Sequence, residues 1–310
     1  MRLSWQQLIR KKLQGRSKFY SVGIAFSAEG ISLCGLKKEP RGLRWELDAG
    51  LSHTNWQAQL ATFVKNYELS GAPCHVALTS HHYQVLQIDR PDVPDAEVHD
   101  ALAWQVQQLL PSNQEYAYDF AEQPVQVSGQ NKVIVVAIPK KDIQAISEGI
   151  FEADLDLRSI IIEETAAVEL TPYSDEATLT LVQEHGEEIV LNIVKDGRLY
   201  FSRRLKGFEN LGTYSMEELE MGIIDTLCVQ LQRSMDFFES QLRQAPVQQI
   251  LIKLDTSLPL TIINGIQDAM DINTAEFVPA LSCAQHLDFK MASFSCLGAA
   301  YSPFALANSK

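Results

Sequence analysis

The chain has 310 residues, 46% of them hydrophobic, which is enough for two lobes each with its own core. Its formal net charge of −13 excludes a nucleic-acid binder, which needs clustered lysine and arginine against phosphate. No run approaches the roughly 18 apolar residues of a membrane span, and the basic N-terminus does not lead into a secretory signal.

Residues 1–18 carry Arg2, Arg10, Lys11, Lys12, Arg16 and Lys18 and no acid, so the remainder holds 20 bases against 39 acids, or −19. Leu3, Trp5, Ile9 and Leu13 are interleaved with these bases. Such an arm can form a basic amphipathic helix on an anionic membrane surface, or stand as a solvated tail. The five cysteines (Cys34, Cys74, Cys228, Cys283 and Cys296) are scattered and include no C-x-x-C pair. They are expected as free thiols of a cytoplasmic protein.

Tyr20–Phe26 reads as a strand, turned by Ala28-Glu29-Gly30 into a second strand, Ile31–Leu36, with a third near Arg44–Leu47. Trp56, Leu60, Phe63 and Val64 recur at helical spacing over 56–67. Short strands follow at His75–Thr79 and Gln84–Ile88, and Pro91 and Pro94 then lead into a helix over about 95–110. Its stripe is Val98, Ala101, Leu102, Val106 and Leu109, which leaves Trp104 off the stripe. Strands are expected at Tyr116–Phe120 and Lys132–Ile138, the second apolar enough to be buried on both faces. A helix over 141–152 and a strand at Ser159–Glu163 complete this part.

Tyr173-Ser174-Asp175 is a polar break. Beyond it, Ala177–Gln183, Glu188–Val194 and Arg198–Arg203 read as a meander, with Asp196-Gly197 as a two-residue hairpin turn. Ser215-Met216-Glu217-Glu218 is a capping box opening a long helix, with Ile224, Leu227, Leu231, Met235, Phe238 and Leu242 as its stripe. Gln249–Lys253 is a strand, the segment after Leu258 is helical, and 292–301 is a small-residue helix. The order strands, helix, strand, helix thus occurs twice.

Several segments carry a family resemblance. Ala101–Pro111, with Ala103-Trp104-Gln105-Val106-Gln107 at its centre, resembles the "R-W-E-A-E-Q-Y-I-P" helix of PilM. Arg233-Ser234-Met235-Asp236-Phe237-Phe238-Glu239-Ser240 is similar to its "R-S-L-D-Y-F-E-S" helix. Val135-Val136-Ala137, Ile160–Glu164 and Leu297-Gly298-Ala299-Ala300 resemble its "L-V-A", "V-D-V-E" and "L-G-L-A" segments, in the same order from about Tyr20 to Ala300. The resemblance is to the PilM and GspL cytoplasmic-domain group of actin-like proteins. It implies an α/β, duplicated ribonuclease-H-like fold of two lobes. Lobe 1 would span 19–175, with an inserted small module at about 72–140 and completion by the helix 292–310; lobe 2 would span 176–291.

The resemblance also implies two phosphate-binding turns, and both are altered. The family's "G-I-D-I-G-S" is Gly23-Ile24-Ala25-Phe26-Ser27-Ala28, without the aspartate and second glycine. Its "V-D-I-G-A" is Val182-Gln183-Glu184-His185-Gly186, again without the aspartate, and its glycine-rich adenine loop is Lys253-Leu254-Asp255-Thr256. ATP with Mg²⁺, if held at all, would meet Ser27, Ala28, Gln183 and Gly186. The expectation is no cofactor, no metal and no catalytic residue. His81-His82, His185 and Glu163-Glu164 read as turn and strand-end residues rather than a catalytic set.

The function implied is a cytoplasmic scaffold that captures the tail of an inner-membrane, PilN-like pilus-assembly protein. Trp104, Tyr116 and Tyr118 are its candidate contacts. Peripheral membrane contact through residues 1–18 and a homodimer remain open. The alternatives are an actin-like ATP-binding regulator and, further off, a relative of sugar and acetate kinases.

Overall fold

The computed structural model describes residues 17–40, 42–127 and 129–308. The basic segment 1–16, and with it most of the proposed membrane-contacting arm, lies outside the described residues. The chain divides into two compact units, one of residues 17–82, 141–166 and 281–308 and the other of 83–140 and 167–280.

The first unit is built on β1 (Ser21–Phe26), β2 (Ile31–Glu39), β3 (Gly42–Leu51), β4 (Pro73–Leu78), β8 (Asp156–Ile162) and β14 (Ser282–Cys283). Their order is β14-β3-β2-β1-β4-β8. β1, β2 and β3 form an antiparallel meander, and β4 and β8 run parallel to β1. The expected module span 72–140 therefore includes β4, which pairs in this large sheet. Every residue of β1 is buried, which suits a central strand covered on both faces. Helices α1 (Trp56–Asn66), α3 (Lys140–Glu152) and α7 (Phe294–Asn308) belong here. Two glycines set the closeness of packing. A Cβ on Gly23 would lie 2.1 Å from the Cys296 carbonyl, and one on Gly298 would lie 2.1 Å from that of Ala166. The small-residue run of α7 is thus a steric requirement: backbone meets backbone, with no room for a side chain.

The second unit repeats the plan. β9 (Thr178–Val182), β10 (Ile189–Lys195), β11 (Arg198–Leu205), β12 (Gln249–Lys253) and β13 (Asn273–Glu276) take the order β11-β10-β9-β12-β13. Again three antiparallel strands are followed by two parallel ones. The β10–β11 turn has Asp196 at φ 52° and Gly197 at φ 66°, the two left-handed residues that the Asp-Gly dipeptide predicts. Helices α5 (Ile224–Ser240) and α6 (Pro259–Met270) cover one face, burying Leu179, Leu181, Leu191, Ile193, Leu231 and Phe238 among others. Each such side chain contributes about 1.5–3 kcal/mol.

The capping box at Ser215 is present in both directions. The expected single long helix, however, is interrupted by a π turn over Leu219–Ile223, where Gly222 sits at φ 133°. Glycine is the residue that adopts this angle without steric cost.

A separate three-stranded sheet, β5-β7-β6, is formed by β5 (Gln84–Asp89), β6 (Tyr116–Glu122) and β7 (Lys132–Pro139). Helix α2 (Asp95–Leu109) covers it with Val98, Leu102 and Val106. The central strand β7 buries only alternate residues, Val133, Val135 and Ala137, on the helix side. Its apolar run suggests burial on both faces, but a single helix covers one.

Candidate functional site

The first turn follows β1. Ser27 closes it from within: its N–H and its Oγ both donate to the Gly30 carbonyl at 3.0 Å, and Oγ accepts from the Gly30 N–H at 3.3 Å. From outside the turn, the His53 ring Nε2 lies 2.8 Å from the Ser27 carbonyl and 3.2 Å from that of Ala28. His53 therefore ties down the turn's two carbonyls. Ala25, at the position of the resembled aspartate, is buried within β1.

The second turn follows β9. Gly186 adopts φ 69°, and the Glu187 N–H donates to the Glu184 carbonyl at 3.1 Å. Gln183 is fully buried. Its side-chain Nε2 donates to the carbonyls of Glu187, at 2.9 Å, and Phe208, at 2.8 Å. Its Oε1 accepts from the Asp255 N–H at 3.2 Å. One amide thus ties together the turn, the segment after β11 and the segment after β12. Two further contacts join the same pieces. Lys253 Nζ donates to the Gln183 carbonyl at 3.0 Å, and His185 Nδ1 sits 2.9 Å from Asp255 Oδ2. Ser27 and Ala28 lie in the first unit, and Gln183 and Gly186 in the second.

The three aromatic candidates all lie in the α2 and β6 region. Tyr116 and Tyr118 pack half-buried against the Val98–Leu102–Val106 core. Tyr118 donates its hydroxyl to the His99 carbonyl at 2.7 Å, and the two rings stack at 4.6 Å and 10°. Burial first, and then the Asp100 carboxylate, push the Tyr118 phenol above its ordinary pKa. Trp104 points away from this core and is 66% exposed. It pairs with neither tyrosine ring among the described residues.

Other candidates resolve into structure. Glu163 is buried at the start of α4 (Glu163–Leu170), and its Oε1 accepts from the Ser80 N–H at 2.8 Å. His82 stands edge-on to Phe26 at 6.1 Å. Among the described residues no group of three or more His, Cys, Asp or Glu could hold a metal ion.

No protein-family model matches the chain, and no curated protein matches it by sequence. Solved structures do. A chain of the PilM–PilN type IV pilus biogenesis complex aligns over 94% of this chain and 99% of its own length, with a TM-score of 0.65 at 17% identity. The cytoplasmic domain of EpsL, an inner-membrane component of the type II secretion system of Vibrio cholerae, aligns over 94% and 95%, with a TM-score of 0.50 at 10% identity. Together with the repeated strand order these likenesses fix the architecture. The fold is actin-like.

The turns after β1 and β9 are thus each closed by hydrogen bonds of their own. A carboxylate at position 183 could only accept hydrogen bonds, and so could serve a metal ion or orient a water. The Gln183 amide has two donors, and both are spent on backbone carbonyls. His53 and Asp255 complete the closure, and neither stands out in the sequence, because their partners lie 26 and 70 residues away.

Proposed function

We propose that this chain is a non-catalytic scaffold of a pilus or type II secretion assembly, working without nucleotide. The observation that carries this reading is the Gln183 side chain, buried and bonded to three separate backbone segments where the resembled family has a metal-side aspartate. With Ala25 and Ser27 in the first turn, the residues present do not fit ATP and Mg²⁺. The rival is an actin-like ATP binder that uses Ser27, Ala28, Gln183 and Gly186. It would have to open hydrogen bonds that are already made.

The partner in this proposal is the cytoplasmic tail of a PilN-like inner-membrane protein, since the structural likeness extends over 94% of the chain to a protein described in complex with PilN. The site would be cytoplasmic and peripheral to the inner membrane. No helix among the described residues is long and apolar enough to cross it. The finer proposal is service in an MSHA-type pilus, in the role of MshI, because the short basic N-terminal segment and altered turns resemble that protein. Titration of such a tail into the purified chain, with and without Mg-ATP, tests the proposal. Binding indifferent to nucleotide is expected, and binding that requires ATP would refute it.

A further inference from the structure

β11 is the edge of the five-stranded sheet, with β10 on one side and no strand on the other. Apart from the ladder to β10, residues 198–203 make no backbone–backbone hydrogen bond among the described residues. This edge is also electrostatically out of character. In a chain of net charge −13, residues 195–206 hold Lys195, Arg198, Arg203, Arg204 and Lys206 against one acid, Asp196.

Arg204 is half-buried and donates to the Tyr83 hydroxyl at 2.8 Å, so the accessible charge of the edge lies with Arg198, Arg203 and Lys206. Arg203 donates from Nη2 to the neutral Gln230 Oε1 at 2.6 Å, and neither it nor the exposed Arg198 has a carboxylate partner among the described residues. Lys206 has one loose, exposed contact to Glu188 at 3.7 Å.

We infer that β11 is a docking edge for an extended acidic segment of a partner protein, which adds as a sixth strand. Main-chain hydrogen bonds to the open edge would supply affinity, and carboxylates set against Arg198, Arg203 and Lys206 would supply register and choice of partner. The same charges exclude the obvious competitor. A second copy of this chain would bring an equally basic β11, and basic residues on a sheet edge protect it from self-pairing. This surface uses none of the residues assigned to the PilN-like tail, so the two sites can fail independently.

The test uses the full chain and a short synthetic peptide alternating glutamate with valine, capped at both ends. Controls are the same peptide N-methylated along one edge, its lysine counterpart, and phosphatidylglycerol vesicles. Isothermal titration gives affinity, and amide exchange over Arg198–Leu205 gives location. The expected result is saturable binding that slows exchange within β11. The double variant Arg198→Glu/Lys206→Glu should weaken it about tenfold or more, and both altered peptides should fail to bind. Both substituted side chains are exposed, and a denaturant melt checks that the variant folds. Equal binding of the N-methylated peptide would reduce the effect to bulk charge and overturn the proposal. So would indifference to the charge reversal, self-association through β11, or binding of vesicles but not the peptide.

Discussion

Replacing Gln183 with alanine tests the closure of the second turn. The substitution leaves the Glu187 and Phe208 carbonyls and the Asp255 N–H without their side-chain partner. A typical intramolecular hydrogen bond contributes about 0.5–1.5 kcal/mol net, and a buried orphaned group costs about 1–3 kcal/mol. The side chain is fully buried, so water does not reach the vacancy unless the loops separate. Three bonds to main-chain groups therefore predict a loss of about 2–4 kcal/mol. Gln183→Glu should lose at least as much at neutral pH, because a carboxylate would face two carbonyls with no proton to donate. Urea unfolding of wild type and both variants measures this. A Gln183→Ala loss below about 1 kcal/mol, with an unchanged denaturant slope, would refute the idea that the amide holds the three segments together.

Trp104→Ala should leave stability within about 0.5 kcal/mol, since the ring is exposed and off the packed stripe. Titration of a PilN-like tail should meanwhile weaken by more than about 1 kcal/mol. Gly298→Ala should destabilise the first unit by about 3 kcal/mol or more, because its Cβ would meet the Ala166 backbone at 2.1 Å; thermal melting checks this. Burial, and then the Arg158 charge, lower the His75 pKa to about 4. Only the unfolded chain then takes up this proton between about pH 6.5 and 4, so stability falls as pH drops through that window, and His75→Gln should flatten the slope. Burial raises the Glu169 carboxyl to about 7. That contribution is present below about pH 4.5 and is lost as pH rises through 7, so Glu169→Gln should remove the loss in a melt series across pH.

The sequence was most informative where local chemistry decides structure. Asp196-Gly197 specifies its hairpin because few dipeptides tolerate two left-handed residues, and Ser215 with Glu218 caps its helix reciprocally. Of the helical stripe read over 95–110, Val98, Leu102 and Val106 are buried, whereas Leu109, assigned to the same stripe, is exposed, as is Trp104. The same strand order occurs twice, each time a meander followed by two parallel strands.

What depends on distant partners was not legible. His53 reaches the Ser27 turn, and Gln183 reaches Phe208 and Asp255, through contacts that leave no local pattern. The sequence shows glutamine at 183 where the resembled turn has aspartate, but not the three backbone bonds its side chain makes. β13 and β14 are too short to have a period, and the π turn at Gly222 hides inside a helical run.

If the turns after β1 and β9 serve as internal structure, as proposed, Mg-ATP should find no site on the folded chain. Calorimetric titration of Mg-ATP into the wild-type protein, paired with a thermal melt at millimolar nucleotide, measures this directly. A ligand that binds only the folded state must raise the melting temperature in proportion to its occupancy. No binding heat and an unchanged melt are expected; a saturable heat with a rise of several degrees would contradict the proposed nucleotide-free role.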